Sequence, residues 1–119
     1  TIYGDGSQTR SFTYVDDTVD GIWRMMQHQP LAQSVPTPIP LVNLGNPDEV
    51  SILQVAEEII ELTNSKSELI FKPLPEDDPT RRKPDISAAQ NMLGWSPKTS
   101  RVDGLKIIMP YFEALAYRS

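Results

Sequence analysis

Two short segments of this chain combine residue types that could bind an anion. In the first, Gly4-Asp-Gly6-Ser-Gln8-Thr-Arg10, the side chains of Gln8 and Arg10 are two positions apart and project to the same face of an extended chain. The glycines allow a tight turn and a close approach to a ligand. The arginine could bind a phosphate, each charge-assisted bond contributing about 1.5–3 kcal/mol. A hairpin turn with a solvated arginine would use the same residues, and both interpretations stay open.

The second segment, residues 76–85, reads Glu-Asp-Asp-Pro-Thr-Arg-Arg-Lys-Pro-Asp. Its two prolines stiffen the loop and reduce the entropy lost when it becomes ordered. The basic triplet Arg81-Arg82-Lys83 could clamp a diphosphate or a carboxylate, with the acidic residues holding the arginines in place. A solvated, self-neutralising surface loop is the alternative.

Two further groups of polar residues have an ordinary structural explanation beside a functional one. Asn43 and Asn46 flank a predicted strand end, where open α/β sheets bind ligands, but asparagines also form turns. Tyr3 and Tyr14 could donate protons, but neither has a lysine spaced to lower its pKa. Gly4 and Gly6 precede a predicted strand, whereas a dinucleotide cradle leads into a helix. The sequence therefore offers no site for the bulk of a nucleotide cofactor.

Composition excludes several classes of protein. The chain has 119 residues, of which 39% are hydrophobic and 23% charged, as in one globular domain. Its net charge of −5 argues against nucleic acid or an anionic membrane as the main partner. Without cysteine, and with one histidine, it can form neither disulfides nor a multi-histidine metal site. Because the sequence starts at Thr1, inside an apparent strand, we expect a fragment of a longer protein.

The hydrophobic patterns predict alternating strands and helices. Strands are expected at residues 1–3, 11–15, 41–44 and 68–72. Helices are expected at about 17–28 and 52–63, from Asp85 to Gly94, and from Ser100 onwards. This order indicates a small α/β or α+β lobe, too short to hold a complete doubly wound sheet.

Details of the helices can also be predicted. Asp16 or Asp17 is expected to cap the first helix, and Ser51 with Gln54 forms a capping box for the second. Pro110 should kink or split the last helix. The apolar residues at three- and four-residue spacing should face the core: Val19, Ile22, Trp23 and Met26 in the first helix, and Val102, Leu105, Ile108, Met109, Phe112 and Leu115 in the last.

Three segments together resemble the C-terminal part of the extended short-chain dehydrogenase/reductases that act on nucleotide sugars. They are residues 3–22 (YGDGSQTRSFTYVDDTVDGI), 42–59 (VNLGNPDEVSILQVAEEI) and 76–98 (EDDPTRRKPDISAAQNMLGWSPK). The loop EDDPTRRKPD followed by LGWSPK is the most specific part, and it is most similar to the UDP-glucuronic acid decarboxylases. The dTDP-glucose 4,6-dehydratases and the NAD-dependent epimerases are the close alternatives. A non-catalytic nucleotide-sugar-binding or scaffold module is an alternative of another class.

The resemblance implies roles for four residues. Gln8 and Arg10 match family positions that line the nucleotide-sugar pocket, with the arginine on the diphosphate. Tyr3 matches a position close to the same pocket. Arg82 matches an arginine that handles the sugar carboxylate in decarboxylating relatives and contacts the diphosphate in others. The implied reaction oxidises the sugar at C4 with NAD, loses carbon dioxide from the 4-keto-uronic acid, and reduces C4 again.

The resemblance also implies what lies outside this chain. The NAD-binding Rossmann domain of the family, with its glycine fingerprint and tyrosine–lysine pair, would precede these residues. The chain would then be the substrate-binding lobe for a UDP-sugar, inactive alone, in a protein that forms homodimers. We expect a cytoplasmic protein, unless a preceding segment anchors it in the Golgi membrane.

Overall fold

The computed structural model describes residues 1–28, 40–75 and 83–116. Within these ranges strands and helices alternate along the chain, which confirms the predicted α/β class. The elements are β1 (Ile2–Tyr3), β2 (Thr9–Ser11), α1 (Val15–Gln27), β3 (Glu49–Ser51), α2 (Ile52–Thr63), β4 (Phe71–Lys72), α3 (Ser87–Leu93) and α4 (Arg101–Ala116).

The four strands form two separate pairs. β1 is parallel to β4, with Ile2 opposite Phe71. β2 is antiparallel to β3, with Arg10 opposite Val50. Ile2 and Val50 are each 3% exposed, so both pairs contribute a side chain to the interior.

The predicted strand at 11–15 is wrong in position, because β2 ends at Ser11 and α1 begins at Val15. Ser11 pairs with Glu49, so the next pair would bring the backbone of Asp48 opposite residue 12. The N–H of Asp48 instead donates to Asn46 Oδ1 at 3.0 Å. The position before it is Pro47, which has no N–H to donate. The residues before Glu49 therefore offer β2 no free N–H with which to extend the ladder.

The other two predicted strands are also shorter than expected or missing. Residues 41–44 form no strand in the described part of the chain, where they have no ladder partner. Val42 and Leu44 from this segment pack against the main core cluster. Of the predicted strand 68–72 only Phe71–Lys72 is paired, because β1 opposite it is itself two residues long.

The predicted Ser51 cap of α2 is confirmed, whereas the N-cap position of α3 is Ile86 rather than the predicted Asp85. Gln54 N–H donates to Ser51 Oγ at 3.1 Å, and α2 covers 52–63 as predicted. Asp103 N–H donates to Ser100 Oγ at 3.1 Å at the start of α4. Asp85 Oδ1 accepts the N–H of Ser87 at 2.9 Å at the start of α3. Gly94 ends α3 with a φ of +59°, a conformation that glycine adopts without a steric penalty.

The predicted cap of α1 is wrong. Tyr14 occupies the N-cap position and makes no side-chain capping bond. Asp17 lies in the first turn of the helix and is 6% exposed, and its Oδ2 accepts the N–H groups of Thr99 at 2.9 Å and Lys98 at 3.1 Å. Its carboxylate therefore stabilises the approach to α4 rather than the start of its own helix.

The predicted core face of α1 is wrong as well. Its apolar stripe is more than half exposed: Val19 56%, Ile22 51%, Trp23 56% and Met26 73%. The helix instead turns Asp17 and Gly21 toward the interior. A Cβ on Gly21 would lie 2.7 Å from Leu44 Cδ1 and 3.1 Å from Trp95 Nε1, so glycine at this position allows the close packing.

The core lies between α1, α3 and the turn at Trp95. Ile86, Ala89 and Trp95 form the buried cluster, with Trp95 only 1% exposed. Arg24 on α1 donates to the backbone carbonyls of Leu93 and Gly94 at 3.2 and 3.1 Å. These contacts fix α1 against the C-terminal end of α3.

The last helix differs from its prediction in two ways. Of the two outcomes predicted for Pro110, a kink or a split, the split is wrong, because α4 continues through Pro110 from residue 101 to 116. Its predicted core face is only half-buried in the first part of the helix, at Val102, Leu105, Ile108 and Met109, and beyond it Phe112 and Leu115 are 57% and 44% exposed. In the described residues, no helix is long and apolar enough to span a bilayer.

Candidate functional site

Three segments that are distant in sequence meet around a cavity of about 610 Å³. They are the end of β2 with the residues after it, the turn at 44–45, and the segment at 83–84. The cavity is lined by Arg10, Ser11, Thr13, Leu44, Gly45, Lys83 and Pro84. The structure thus brings the sequence-predicted Arg10 together with one member of the predicted basic triplet.

Arg10 is held in place by the sheet. Its backbone pairs with Val50 of β3, whose side chain is 3% exposed, so the register is fixed by burial. Its Nη1 donates to the carbonyl of Thr9 at 2.8 Å. This bond helps to orient the guanidinium of Arg10, which lines the cavity.

Backbone and side-chain contacts hold the other two segments against β2. Thr13 Oγ1 accepts the N–H of Asn46 at 2.8 Å, which ties the 44–46 turn to the residues after β2. Asn43 Nδ2 donates to the carbonyl of Asp85 at 3.2 Å. Gly45 is buried against Pro84, and a Cβ on Gly45 would lie 2.7 Å from Pro84 Cγ. This close approach requires glycine at position 45.

The side chains of both asparagines therefore form hydrogen bonds with backbone groups of the protein. Asn46 Oδ1 closes its own turn by accepting from Asp48, and Asn43 links two backbone segments. This agrees with the turn-forming interpretation for Asn46.

The charged residues among the described lining of the cavity have one sign. Arg10 and Lys83 are cationic, and no Asp or Glu is among the described residues that line the cavity. Ser11 and Thr13 add hydroxyl groups, which can donate to oxyanions. Two other cavities lie against α4, of about 240 and 220 Å³, and are lined mainly by apolar side chains. Of these three cavities, the Arg10 cavity has the lining that suits an anionic ligand.

Tyr3 and Gln8 are brought together, but apart from Arg10. Gln8 Nε2 donates to the carbonyl of Tyr3 at 2.7 Å, across the Gly4–Gly6 turn. Both glycines have positive φ, +72° and +78°, as the tight turn requires. Tyr3 is 48% exposed on β1. Neither residue lines the cavity, and Gln8 precedes β2 rather than sharing a strand face with Arg10.

Arg82 lies outside the described residues, so its predicted role stays a prediction. Three residues that line the cavity were not predicted from the sequence to belong to a site: Thr13, Gly45 and Pro84. Their signals are weak in one sequence, since a threonine, a glycine and a proline near turns are common.

Tyr14 is unsuited to act as a proton acceptor. Burial, followed by the charge and hydrogen bond of Asp16, raises the pKa of its phenol above the ordinary value of 10.0. A tyrosine that donates or accepts protons in catalysis near neutral pH needs a lowered pKa. We therefore interpret Tyr14 as structural, consistent with its packing against Gly104 of α4.

Comparison with known families agrees with this architecture. The profile of the GDP-mannose 4,6 dehydratase family matches residues 1–108. The chain belongs to this family, within the epimerase/dehydratase branch of the short-chain dehydrogenase/reductases. UDP-glucuronic acid decarboxylase 2 of Arabidopsis thaliana is 41% identical over 112 residues, which cover 94% of this chain and 23% of that protein. UDP-glucuronic acid decarboxylase 1 of Xenopus tropicalis is 45% identical, with 94% and 25% covered. The chain thus spans about a quarter of the length of these relatives.

Solved structures share the fold. UDP-glucose 4-epimerase of Thermotoga maritima, determined with UDP-glucose, superposes with a TM-score of 0.83 at 29% identity, covering 97% of this chain and 35% of that one. UDP-glucuronic acid 4-epimerase of Bacillus cereus, in complex with UDP-glucuronic acid and NAD, gives a TM-score of 0.79 at 30% identity. It covers 96% of this chain and 35% of the epimerase chain.

Proposed function

We propose that this chain is the substrate-binding portion of an NAD-dependent UDP-glucuronate decarboxylase. The observation that carries the proposal is the cationic cavity lined by Arg10 and Lys83, at the end of β2. A nucleotide sugar presents a diphosphate, which such a cavity can bind through charge-assisted hydrogen bonds. The names of the similar curated proteins support the choice of UDP-glucuronate as the substrate.

The proposed roles differ among the sequence-predicted residues. Arg10 binds the diphosphate, because a guanidinium presents several donors in a planar fork that matches phosphate oxygens. Arg82 binds the sugar carboxylate and stabilises the charge that develops as carbon dioxide leaves. Tyr3 and Gln8 act at the edge of the pocket, where Gln8 holds the Gly4–Gly6 turn through the Tyr3 carbonyl.

The described residues do not fit an NAD site. Gly4 and Gly6 lead into β2, whereas the pyrophosphate of a dinucleotide binds where a glycine-rich turn enters a helix. We therefore propose that NAD is bound mainly by a separate N-terminal domain, and that the complete protein is a homodimer. The chain alone is then expected to bind ligand without turning it over.

A chimaera tests the proposed activity. This chain would replace the matching quarter of the Xenopus tropicalis decarboxylase and be incubated with NAD, UDP-glucuronate and dTDP-glucose. Mass spectrometry is expected to show loss of carbon dioxide from the uronate only. Loss of water from dTDP-glucose would assign the chain to the dehydratases instead. A folded chimaera that changes neither substrate would contradict both assignments and favour a non-catalytic module.

A second candidate is the same lobe in a UDP-sugar 4-epimerase. The structural similarity to the two epimerases at TM-scores of 0.83 and 0.79 favours it. In the same assay an epimerase would leave the mass of UDP-glucuronate unchanged and produce its C4 epimer, which chromatography separates.

Substitution of Arg82 separates the carboxylate role from a diphosphate role. In an active chimaera, Arg82→Ala should lower the rate of decarboxylation far more than it weakens UDP binding. Equal losses of rate and UDP affinity would contradict the carboxylate role.

A further inference from the structure

We propose that Lys83 binds the diphosphate of the ligand together with Arg10, and that the contact between Gly45 and Pro84 positions it. This inference rests on the proposed function, because it assumes that the cavity holds a nucleotide sugar. The sequence left open whether the basic triplet clamps a diphosphate, a carboxylate or nothing; the inference selects Lys83 for the diphosphate and adds the contact that positions it.

The first argument is the convergence of two cations that are 73 positions apart in sequence. Arg10 and Lys83 line the same cavity, whose other described lining residues are uncharged. A diphosphate has two phosphoryl groups, each with anionic oxygen. A guanidinium matches two oxygens of one group, and an ammonium is a compact charge suited to the other.

The second argument is the way the segment at 83–84 is held. Pro84 packs on Gly45 so closely that a Cβ on Gly45 would lie 2.7 Å from Pro84 Cγ and 3.0 Å from Pro84 Cβ. The next residue, Asp85, accepts a hydrogen bond on its carbonyl from Asn43 Nδ2 at 3.2 Å. The backbone that carries Lys83 is thus fixed by the two residues that follow it, which reduces the entropy lost when the lysine binds a ligand.

The decisive measurement is calorimetric binding of uridine, UDP, UDP-glucose and UDP-glucuronate to the 119-residue chain. Lys83→Ala should weaken all three diphosphates by about tenfold and leave uridine unchanged, since one lost charge-assisted contact of about 1.4 kcal/mol is a factor of ten. Lys83→Arg should retain most of the affinity. Lys106→Ala, which removes an exposed lysine from α4, controls for the change in net charge.

The outcomes separate this inference from the proposed function. Failure of the folded wild-type chain to bind UDP or either UDP-sugar would overturn both. Normal UDP binding by Lys83→Ala would overturn the inference and leave the proposed function standing. A loss confined to UDP-glucuronate would place Lys83 on the sugar carboxylate and overturn the diphosphate assignment.

The positioning role has its own test. Gly45→Ala should weaken UDP binding without affecting uridine, because the new methyl group displaces Pro84 and with it Lys83. Pro84→Ala removes the ring carbon that the methyl group would meet, so the double variant should bind UDP more tightly than Gly45→Ala alone. Equal UDP affinity for Gly45→Ala and the wild type would contradict the positioning role.

Discussion

Trp95 donates its indole N–H to the backbone carbonyl of Asp17 at 2.8 Å, across 78 positions of sequence. The carboxylate of the same aspartate accepts the N–H groups of Lys98 and Thr99. One residue of α1 thus binds both the central core tryptophan and the segment that leads into α4. These three bonds make Asp17 a polar connection between α1 and the segment that leads into α4.

Asp17→Ala is expected to lower the free energy of unfolding by about 2–4 kcal/mol, because two backbone N–H groups lose a charged acceptor. Chemical denaturation followed by circular dichroism measures this change. Asp16→Ala is the matched control: it removes the same charge from the same helical turn but at an exposed side chain. A similar loss in both variants would show that helix-dipole interactions, rather than the bonds to 98 and 99, explain the effect.

Substitution by alanine should change the stability of the fold differently at two helical glycines, Gly21 and Gly104. Alanine normally favours a helix over glycine by about 0.5–1 kcal/mol. At Gly21 the new methyl group would lie 2.7 Å from Leu44 and 3.1 Å from Trp95, so overpacking should outweigh this gain and destabilise by about 1–3 kcal/mol. At Gly104 the nearest atom, on Tyr14, is 3.4 Å away, an ordinary contact. Thermal unfolding should therefore show Gly21→Ala below the wild type and Gly104→Ala at or above it.

The ion pair between α2 and α4 should make stability depend on acidic pH. Arg101 donates to both carboxylate oxygens of Glu58, at 2.8 and 2.9 Å, with the side chains 12% and 20% exposed. The hydrogen bond from Arg101 lowers the pKa of Glu58 below its ordinary value of 4.5. Its contribution to stability is therefore complete above pH 4.5 and is lost as the pH falls through the lowered pKa.

Glu58→Gln tests this dependence. The variant should be less stable than the wild type at pH 7 by about 1–3 kcal/mol, since one charged partner of a half-buried pair is removed. Urea denaturation at pH 7 and below pH 4 should show the difference shrinking at the lower pH. A difference that stays constant across this range would rule out protonation of Glu58 as its cause.

The exposed apolar stripe of α1 should cause the isolated chain to associate. Val19, Ile22, Trp23 and Met26 are each more than half exposed, and such a contiguous surface favours contacts with other apolar surface. Light scattering should show concentration-dependent growth in mass, reduced by Met26→Lys. Gln27→Lys adds the same charge at the neighbouring exposed position and should not reduce it. A compact monomer at all concentrations would contradict this expectation.

Local signals in the sequence were sufficient to predict where the helices lie. The bounds of α2 and the caps at Ser51 and Ser100 follow from hydrogen bonds between near neighbours, which a sequence specifies directly. The strands depend on partners elsewhere in the chain. β2 ends at Ser11 because the N–H of Asp48 is bonded to Asn46, a fact that no pattern within 11–15 contains.

The local sequence pattern also could not predict which face of α1 packs against the core. The periodicity correctly identified an apolar face, but a face can be exposed when tertiary contacts favour another side of the helix. The contacts of Asp17 and Gly21 with Trp95 and Leu44 determine that side. In the site, the motif indicated Arg10, whereas its place beside Lys83 and Gly45 depends on three segments that only the fold brings together.

The pairing of β1 with β4 and the bonds of Asp17 have a consequence for synthesis. Ile2 pairs with Phe71, and the partners of Asp17 lie at residues 95–99. Neither contact can form until these later residues have been synthesised. At translation rates of about 5–20 residues per second, α1 spends on the order of 4–16 s without these partners. Throughout that interval Asp17 lacks the partners that hold α1 against the Trp95 turn and the start of α4, so α1 completes its packing only after residues 95–99 have been made.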